Sequence, residues 1–230
     1  MRAFLDLLWP PRCLACDGLA WDEAVPGLCA DCAAALPVIR SPCPRCGREA
    51  GTWALAGPCA ACRGEDLDVD GVVAPLRYRD VARDLVLALK FRRRTPAARP
   101  LGALLADAVV SAGRPGDLLV PVPVSRARFR RRGFDQADEI ARVVAALTGI
   151  ARDARALVRH RDVVAQSGLS RARRRRNPRG AFRAVRSRVA GRCVLLVDDV
   201  VTTGATAGAC ARALRRAGAV HVVLAVACRA

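Results

Sequence analysis

Apolar residues recur with two different periods along this chain, and each change of period marks an element. From Gly71, Val72-Val73-Ala74-Pro75-Leu76-Arg77-Tyr78 reads as a strand, and Val81 to Phe91 and Leu101 to Val110 read as amphipathic helices. Leu118-Leu119-Val120-Pro121-Val122-Pro123-Val124 is an apolar run of buried-strand type, with its prolines at the end. Ala137 to Leu147 is helical, with Ile140, Val143, Val144 and Leu147 in step. After a basic, polar stretch, Cys193-Val194-Leu195-Leu196-Val197 is another buried strand. Ala207 to Ala217 is a helix stopped by Gly218, and Val220 to Val226 is the last strand. Strands alternating with helices predict an α/β unit with a mainly parallel sheet flanked by helices. Ligands of such sheets bind beyond the C-terminal ends of the strands.

The first 64 residues follow neither period. Their pattern is cysteine: Cys13/Cys16, Cys29/Cys32, Cys43/Cys46 and Cys59/Cys62 are four C-x-x-C pairs, with twelve residues between the members of each set. Two residues between cysteines let a tight turn present both sulfurs to one ion, and a second such turn completes a tetrahedral site. Two structural Zn²⁺ ions are therefore expected, on Cys13, Cys16, Cys29 and Cys32 and on Cys43, Cys46, Cys59 and Cys62. An interleaved pairing of the sets is the alternative. A disulfide framework would need an oxidising compartment, and no secretory signal precedes these residues. The segment has few large apolar residues, so metal must supply much of its folding energy. Cys193, Cys210 and Cys228 sit in apolar runs and read as core residues.

Composition sharpens this division. The 230 residues carry a net charge of +18, with 39 Lys+Arg against 21 Asp+Glu, and Lys90 is the only lysine. Residues 1–64 hold six Arg and six acids, whereas residues 65–230 hold 33 basic and 15 acidic residues and so the whole excess. The expected division is a double zinc ribbon over 1–64 and an α/β domain over 65–230. A basic balance of this size favours partners rich in phosphate, although a GC-rich genome would also enrich arginine. No window approaches the roughly 20 apolar residues of a membrane-spanning helix. No membrane insertion and a cytoplasmic location are expected.

The most informative run is Val194-Leu195-Leu196-Val197-Asp198-Asp199-Val200-Val201-Thr202-Thr203-Gly204-Ala205-Thr206. A buried strand leads into two carboxylates, then a Thr/Gly loop, then a helix. Backbone N–H groups at a helix N-terminus form a phosphate cradle, and the carboxylates can accept hydrogen bonds from vicinal hydroxyls. Phosphate and diol one sugar length apart describe a ribose 5-phosphate.

This run resembles the PRPP-binding signature of type I phosphoribosyltransferases, and the chain as a whole resembles the ComF family. The resemblance rests on the ribbon opening Pro10-Pro11-Arg12-Cys13-Leu14-Ala15-Cys16, on Leu89-Lys90-Phe91 and on Pro121-Val122-Pro123. It rests also on Arg132-Gly133-Phe134-Asp135-Gln136, Gln166, Arg176-Asn177-Pro178 and Ala181-Phe182. It implies a type I phosphoribosyltransferase domain in which Asp198 and Asp199 hold the ribose hydroxyls. Thr202, Thr203, Gly204, Ala205 and Thr206 would hold the 5-phosphate, and Mg²⁺ would ride on PRPP. Arg126, Arg128, Arg130, Arg131 and Arg132 are pyrophosphate candidates. They and Arg173, Arg174, Arg175 and Arg176 are also nucleic-acid candidates. The activity implied is phosphoribosyl transfer to an unidentified acceptor. The alternative is a non-catalytic competence factor that handles single-stranded DNA alongside other competence or recombination proteins. Asp135 departs from the family's usual Asn, and an acid there would alter contact with an anionic ligand.

Overall fold

The computed structural model describes residues 10–20, 25–50, 59–62, 67–92, 94–113, 116–160 and 180–230. The expected boundary near Gly64, the segment 163–179 with Gln166 and Arg173 to Arg176, and Trp9, Trp21 and Trp53 lie outside the described residues.

Among the described residues, a short helix α1 (Ala30–Ala34) lies in the cysteine-rich head. The α/β unit then runs β1 (Gly71–Val73), β2 (Leu76–Arg77), α2 (Asp80–Phe91), α3 (Ala98–Ser111), β3 (Leu118–Pro121), α4 (Arg126–Arg132) and α5 (Gln136–Thr148). It continues with β4 (Ala151–Arg152), β5 (Leu157–Arg159), β6 (Phe182–Ala184), α6 (Arg186–Val189), β7 (Cys193–Val201), α7 (Ala205–Arg216) and β8 (His221–Arg229). The main sheet has the order β1-β8-β7-β3-β4, with β2 also on β8, and all its pairings are parallel. The antiparallel pair β5–β6 forms a separate side sheet.

The helical stripes explain the layers. In α2, Ala82, Leu85, Val86 and Leu89 are buried, and in α5, Ala137, Ile140, Ala141 and Val144 are buried. Both sets follow the i, i+3, i+4, i+7 spacing of one helix face. They pack with α3 against Leu119, Leu195 and Val197 on one face of the sheet. Helix α7 and Phe182 of the side sheet cover the other face, against Val194, Leu196 and Leu224. Leu147, placed by periodicity on the α5 stripe, is 60% exposed, because the stripe rotates toward Ala137 and Ala141 instead.

Several other expectations need correction. The strand expected over Val72 to Tyr78 breaks at Ala74-Pro75, since proline cannot donate to the sheet ladder. Arg126 to Arg132, which reads as basic strand-end sequence, is a helix. It is capped by Ser125, whose side chain accepts from the Arg128 N–H, and closed by Gly133 at φ 84°. Cys210 and Cys228 are core residues as expected, but Cys193 is only half-buried.

The head docks on the first edge of the sheet. Ile39 N donates to Pro75 O (2.8 Å), Arg77 N to Pro37 O (2.9 Å) and Val72 N to Pro44 O (3.0 Å). Cys43, Cys46 and Cys62 are buried in the core that contains Leu196 and Leu224, and Cys13 and Leu28 in the core that contains Leu85 and Leu101. Core residues are thus shared between the two compositions.

Candidate functional site

In the head, the four sulfurs of Cys13, Cys16, Cys29 and Cys32 lie within 4.8 Å of one another, and so do those of Cys43, Cys46, Cys59 and Cys62. The sequential pairing therefore holds. Sulfur–sulfur distances are 3.8 Å for Cys16–Cys29, 3.9 Å for Cys43–Cys62, 3.5 Å for Cys46–Cys59 and 3.7 Å for Cys59–Cys62. Disulfides need about 2.0 Å. Tetrahedral Zn–S bonds of about 2.3 Å separate sulfurs by about 3.8 Å, so both donor sets fit structural Zn²⁺. The first cysteine of each cluster is primed for ionisation. Burial opposes it, but the N–H groups of Cys16, Cys29 and Ala15 more than offset this and pull the Cys13 thiol down to about 6. At Cys43 burial is likewise outweighed by the N–H groups of Cys59, Cys46 and Arg45, again giving about 6.

In the α/β unit, β3 leads through α4 and α5 to β4, while β7 leads through α7 to β8 on the opposite side of the sheet. The connections diverge between the neighbouring strands β3 and β7, and such a divergence opens a crevice at their C-terminal ends. A cavity of about 390 Å³ occupies this place. It is lined by Val122, Pro123 and Val124 after β3, by Asp198, Asp199 and Val200 of β7, and by Thr206 of α7. Lys90 and Phe91 of α2, Arg128, Arg131 and Arg132 of α4, Gln136 and Arg159 complete the wall.

The two carboxylates belong to different surroundings. Asp199 is 3% exposed and forms an ion pair with Lys90, Nζ to Oδ2 2.8 Å. Burial and the neighbouring Asp199 charge push the Asp198 carboxyl well above the usual carboxylate range. The Asp199 N–H, donating to Asp198 Oδ1 at 2.9 Å, opposes this only in part. Two adjacent acids thus share one lysine. After them, residues 202–204 turn into α7, whose N-cap Gly204 has φ 73°. That left-handed conformation favours glycine, and a Cβ there would also lie 2.3 Å from Leu67 Cδ2. The turn leaves the first N–H groups of a twelve-residue helix facing the crevice end of the sheet.

The arginines of α4 divide. Arg128, Arg131 and Arg132 line the cavity, whereas Arg126 and Arg130 line a neighbouring hollow with Phe129, which is 49% exposed. Arg132 is itself buried, with its guanidinium 5.4 Å from the Phe91 ring centroid and Nη1 donating to Gln136 Oε1 at 2.8 Å. Its Nε is buried with no hydrogen-bond partner among the described residues. Asp135 caps α5, accepting from the N–H groups of Ala137 (3.0 Å) and Val124 (2.8 Å). Asparagine could cap α5 equally well, but only aspartate has a second oxygen that can also accept from Val124. Exposed His160 and His221 take no part in the cavity, and His221 sits 3.3 Å from Asp70 Oδ2.

Lys90 is the site residue to which sequence reasoning assigns no role. Its signal is its singularity, as the lone lysine of a chain that otherwise uses arginine for every basic position.

Comparison with known proteins follows the same division. Residues 4–63 match the family described as Double zinc ribbon domain. The chain is 36% identical to the DNA utilization protein YhgH of Salmonella typhi over 94% of its own length and 99% of that protein's. It is 34% identical to the same protein of Escherichia coli K12, with the same coverage. It is 31% identical to Competence protein F of Haemophilus influenzae, over 90% of this chain and 92% of that one. Among solved structures, the glutamine PRPP amidotransferase of B. subtilis, complexed with ADP and GMP, aligns with 59% of this chain at 28% identity and a TM-score of 0.40. The matched part is 26% of that enzyme's chain. Among the described residues no helix is long and apolar enough to cross a membrane. With such relatives over nine-tenths or more of its length, and with both cysteine clusters in place, the chain belongs to the ComF family.

Proposed function

We propose that the crevice between β3 and β7 binds PRPP and that the chain transfers its phosphoribosyl group to an acceptor. The observation that carries this reading is convergence at one strand end. Asp198, Asp199, Thr206 and Arg128, Arg131 and Arg132 line a single cavity, and residues 202–204 lead directly into its Thr206 wall. In the transfer, the bond from the anomeric carbon to the pyrophosphate oxygen breaks and its electron pair leaves with pyrophosphate. The acceptor's nucleophile forms the new bond to the same carbon. Negative charge grows on the departing group, so three guanidinium groups fixed beside it stabilise the transition state. The turn binds the 5-phosphate through backbone N–H groups, and the acidic pair accepts from the ribose hydroxyls. The two carboxylates make no cage for a metal, and one of them already holds Lys90. Mg²⁺ would therefore arrive on substrate oxygens, adding positive charge to that which Lys90 brings to the acidic pair.

Calorimetric titration with Mg²⁺ and PRPP tests the reading. Binding is expected, and Asp199→Asn is expected to weaken it at least tenfold. Equal affinity in the two chains would remove the diol assignment. Pyrophosphate release, followed with a panel of bases, amines and nucleic acids, identifies the acceptor.

A second reading is handling of single-stranded DNA, consistent with the names of the relatives. It is favoured by α4, which exposes Arg126, Arg128, Arg130 and Arg131 around half-exposed Phe129. That combination of phosphate neutralisers with a stacking ring suits single strands. Single-strand affinity is expected to fall with salt, and Arg126→Ala with Arg130→Ala to shallow the log–log slope by about 0.7 for each phosphate no longer neutralised. Both residues lie outside the PRPP cavity, so PRPP affinity should not change. A slope unaffected by the double substitution would rule out α4 as the DNA-binding surface. Residues Arg173 to Arg176 extend the same expectation.

A further inference from the structure

We propose that the second cysteine cluster is a structural prop for the phosphate turn, and that Arg229 is the positioning residue joining them. The inference rests on the reading of residues 202–206 as a phosphate cradle. Its structural half, the coupling, stands on geometry alone.

Arg229 ends β8 and is 3% exposed. Its Nε donates to the carbonyl of Cys46, a residue of the second metal cluster, at 2.9 Å. Its Nη1 donates to Val201 O at 3.0 Å and to Thr202 O at 2.6 Å, the first carbonyls of the turn, and to Ala230 O at 2.7 Å. One guanidinium therefore spans the metal knuckle and the start of the cradle. Arginine suits this position because its donors form a planar, rigid fork that holds several carbonyls in fixed relation. Buried as it is, the group cannot exchange a carbonyl partner for water without opening the core. Movement of the knuckle must then be answered by movement of the turn.

A second link runs in parallel. Leu67 and Asp68, which follow the second cluster in sequence, lie against the turn and α7. A Cβ at Gly204 would lie 2.3 Å from Leu67 Cδ2, and one at Gly208 would lie 2.9 Å from Asp68 Oδ2. Asp68 is pinned to α7 by Arg212 and by Arg215, which donates to its carbonyl. Asp70 accepts from Arg215 Nη2 and from Val222 N, both at 2.7 Å. The turn is thus held by Arg229, which reaches the Cys46 carbonyl, and touched by Leu67, which is buried in the same core as Cys43, Cys46 and Cys62. The first cluster is placed differently. Cys13 and Leu28 are buried among Leu76, Leu85 and Leu89, on the face covered by α2 and α3. Loss of metal from the first cluster should leave the cradle undisturbed.

Coupling between two sites is reciprocal. If metal at the second cluster strengthens ligand binding at the turn, ligand must slow departure of that metal, and not of the other. The ribbons then serve a purpose beyond folding, because oxidation or chelation of one set of thiols would switch off the cradle.

Hydrogen exchange of the full chain, read on peptides covering residues 198–208, tests the coupling without any ligand. Arg229→Met is expected to keep both metals, by elemental analysis, and to speed at least tenfold the exchange of the hydrogen-bonded amide that closes the turn, Gly208, which donates to Gly204 O. Cys59→Ala is expected to lose one metal and to have the same effect. Cys16→Ala is expected to lose one metal and leave the turn within twofold of the unmodified rate. Should a variant fail to fold, stepwise chelation of the unmodified chain gives the same comparison. Turn exchange that stays constant until both metals are gone would overturn the proposal, as would unchanged exchange in folded Arg229→Met. The ligand arm uses PRPP with Mg²⁺. Its affinity should fall at least tenfold in Arg229→Met and recover in part in Arg229→Lys, and PRPP should slow release of only one of the two metals. If the unmodified chain fails to bind PRPP, the substrate reading fails, while the exchange data still decide the coupling.

Discussion

Stripping both metals together from this chain is expected to unfold far more than its first 64 residues. Cys13, Cys43 and Cys46 are 0% exposed and Cys62 is 2% exposed, and they are built into the same two cores as the central strands. Zn²⁺ bound to small cysteine-rich sites supplies about 10–16 kcal/mol, comparable to the entire stability of an ordinary domain at about 5–15 kcal/mol. Each 5 kcal/mol withdrawn should lower the melting temperature by about 10–20 °C in a chain of this length. Elemental analysis should find two zinc per chain, and a circular-dichroism melt with a strong chelator should show loss of helix at a much lower temperature. A metal-free chain with an unchanged melt would reject the ribbons as structural sites. Acid should assist the chelator. Protons compete with Zn²⁺ for the same sulfurs, which bind metal as thiolates, so metal affinity falls as pH falls.

Replacement of Lys90 should carry the next largest effect. Its partner Asp199 is almost fully buried where it meets the crevice, with a side chain 5% exposed against 21% for Lys90. Removing one member of a buried pair leaves the other charged and without compensation, at about 3–5 kcal/mol, whereas a surface pair is worth about 0–1 kcal/mol. Lys90→Met is therefore expected to destabilise the metal-bound chain by about 3–5 kcal/mol in urea at neutral pH. Adding Asp199→Asn to the same chain should recover much of the loss, because the two effects share one interaction. A loss below about 1 kcal/mol would mean that the pair behaves as if solvated.

Local signals are legible in the sequence, and distant ones are not. Four C-x-x-C pairs carry their chemistry in their spacing, and the run from Val194 to Thr206 carries strand, acids, turn and helix in order. Helix α2 matches its expectation almost residue for residue because its apolar stripe is local. Helix α4 escapes sequence reading because five of its seven residues are arginine, so no apolar stripe marks it. Only its caps, Ser125 and Gly133, betray it. The ion pair of Lys90 with Asp199 joins residues more than a hundred positions apart. The side sheet pairs Leu157 with Ala184 across a long intervening stretch. Arg229 reads as an ordinary terminal arginine until the fold brings Cys46 and Thr202 to either end of its guanidinium. The Asp at 135 is legible as a departure, but its meaning, a helix cap, needs the geometry of α5.

Lysine's singularity has a practical side. Apart from the N-terminal amine, this protein offers amine-directed reagents one target, and that target lies in the crevice against Asp199. Reductive methylation with isotopically labelled formaldehyde would place one spectroscopic label on the ε-nitrogen and nowhere else among the side chains. Once told apart from the N-terminal amine's, its resonance could follow ligand arrival and metal loss in the intact chain, with no engineered tag.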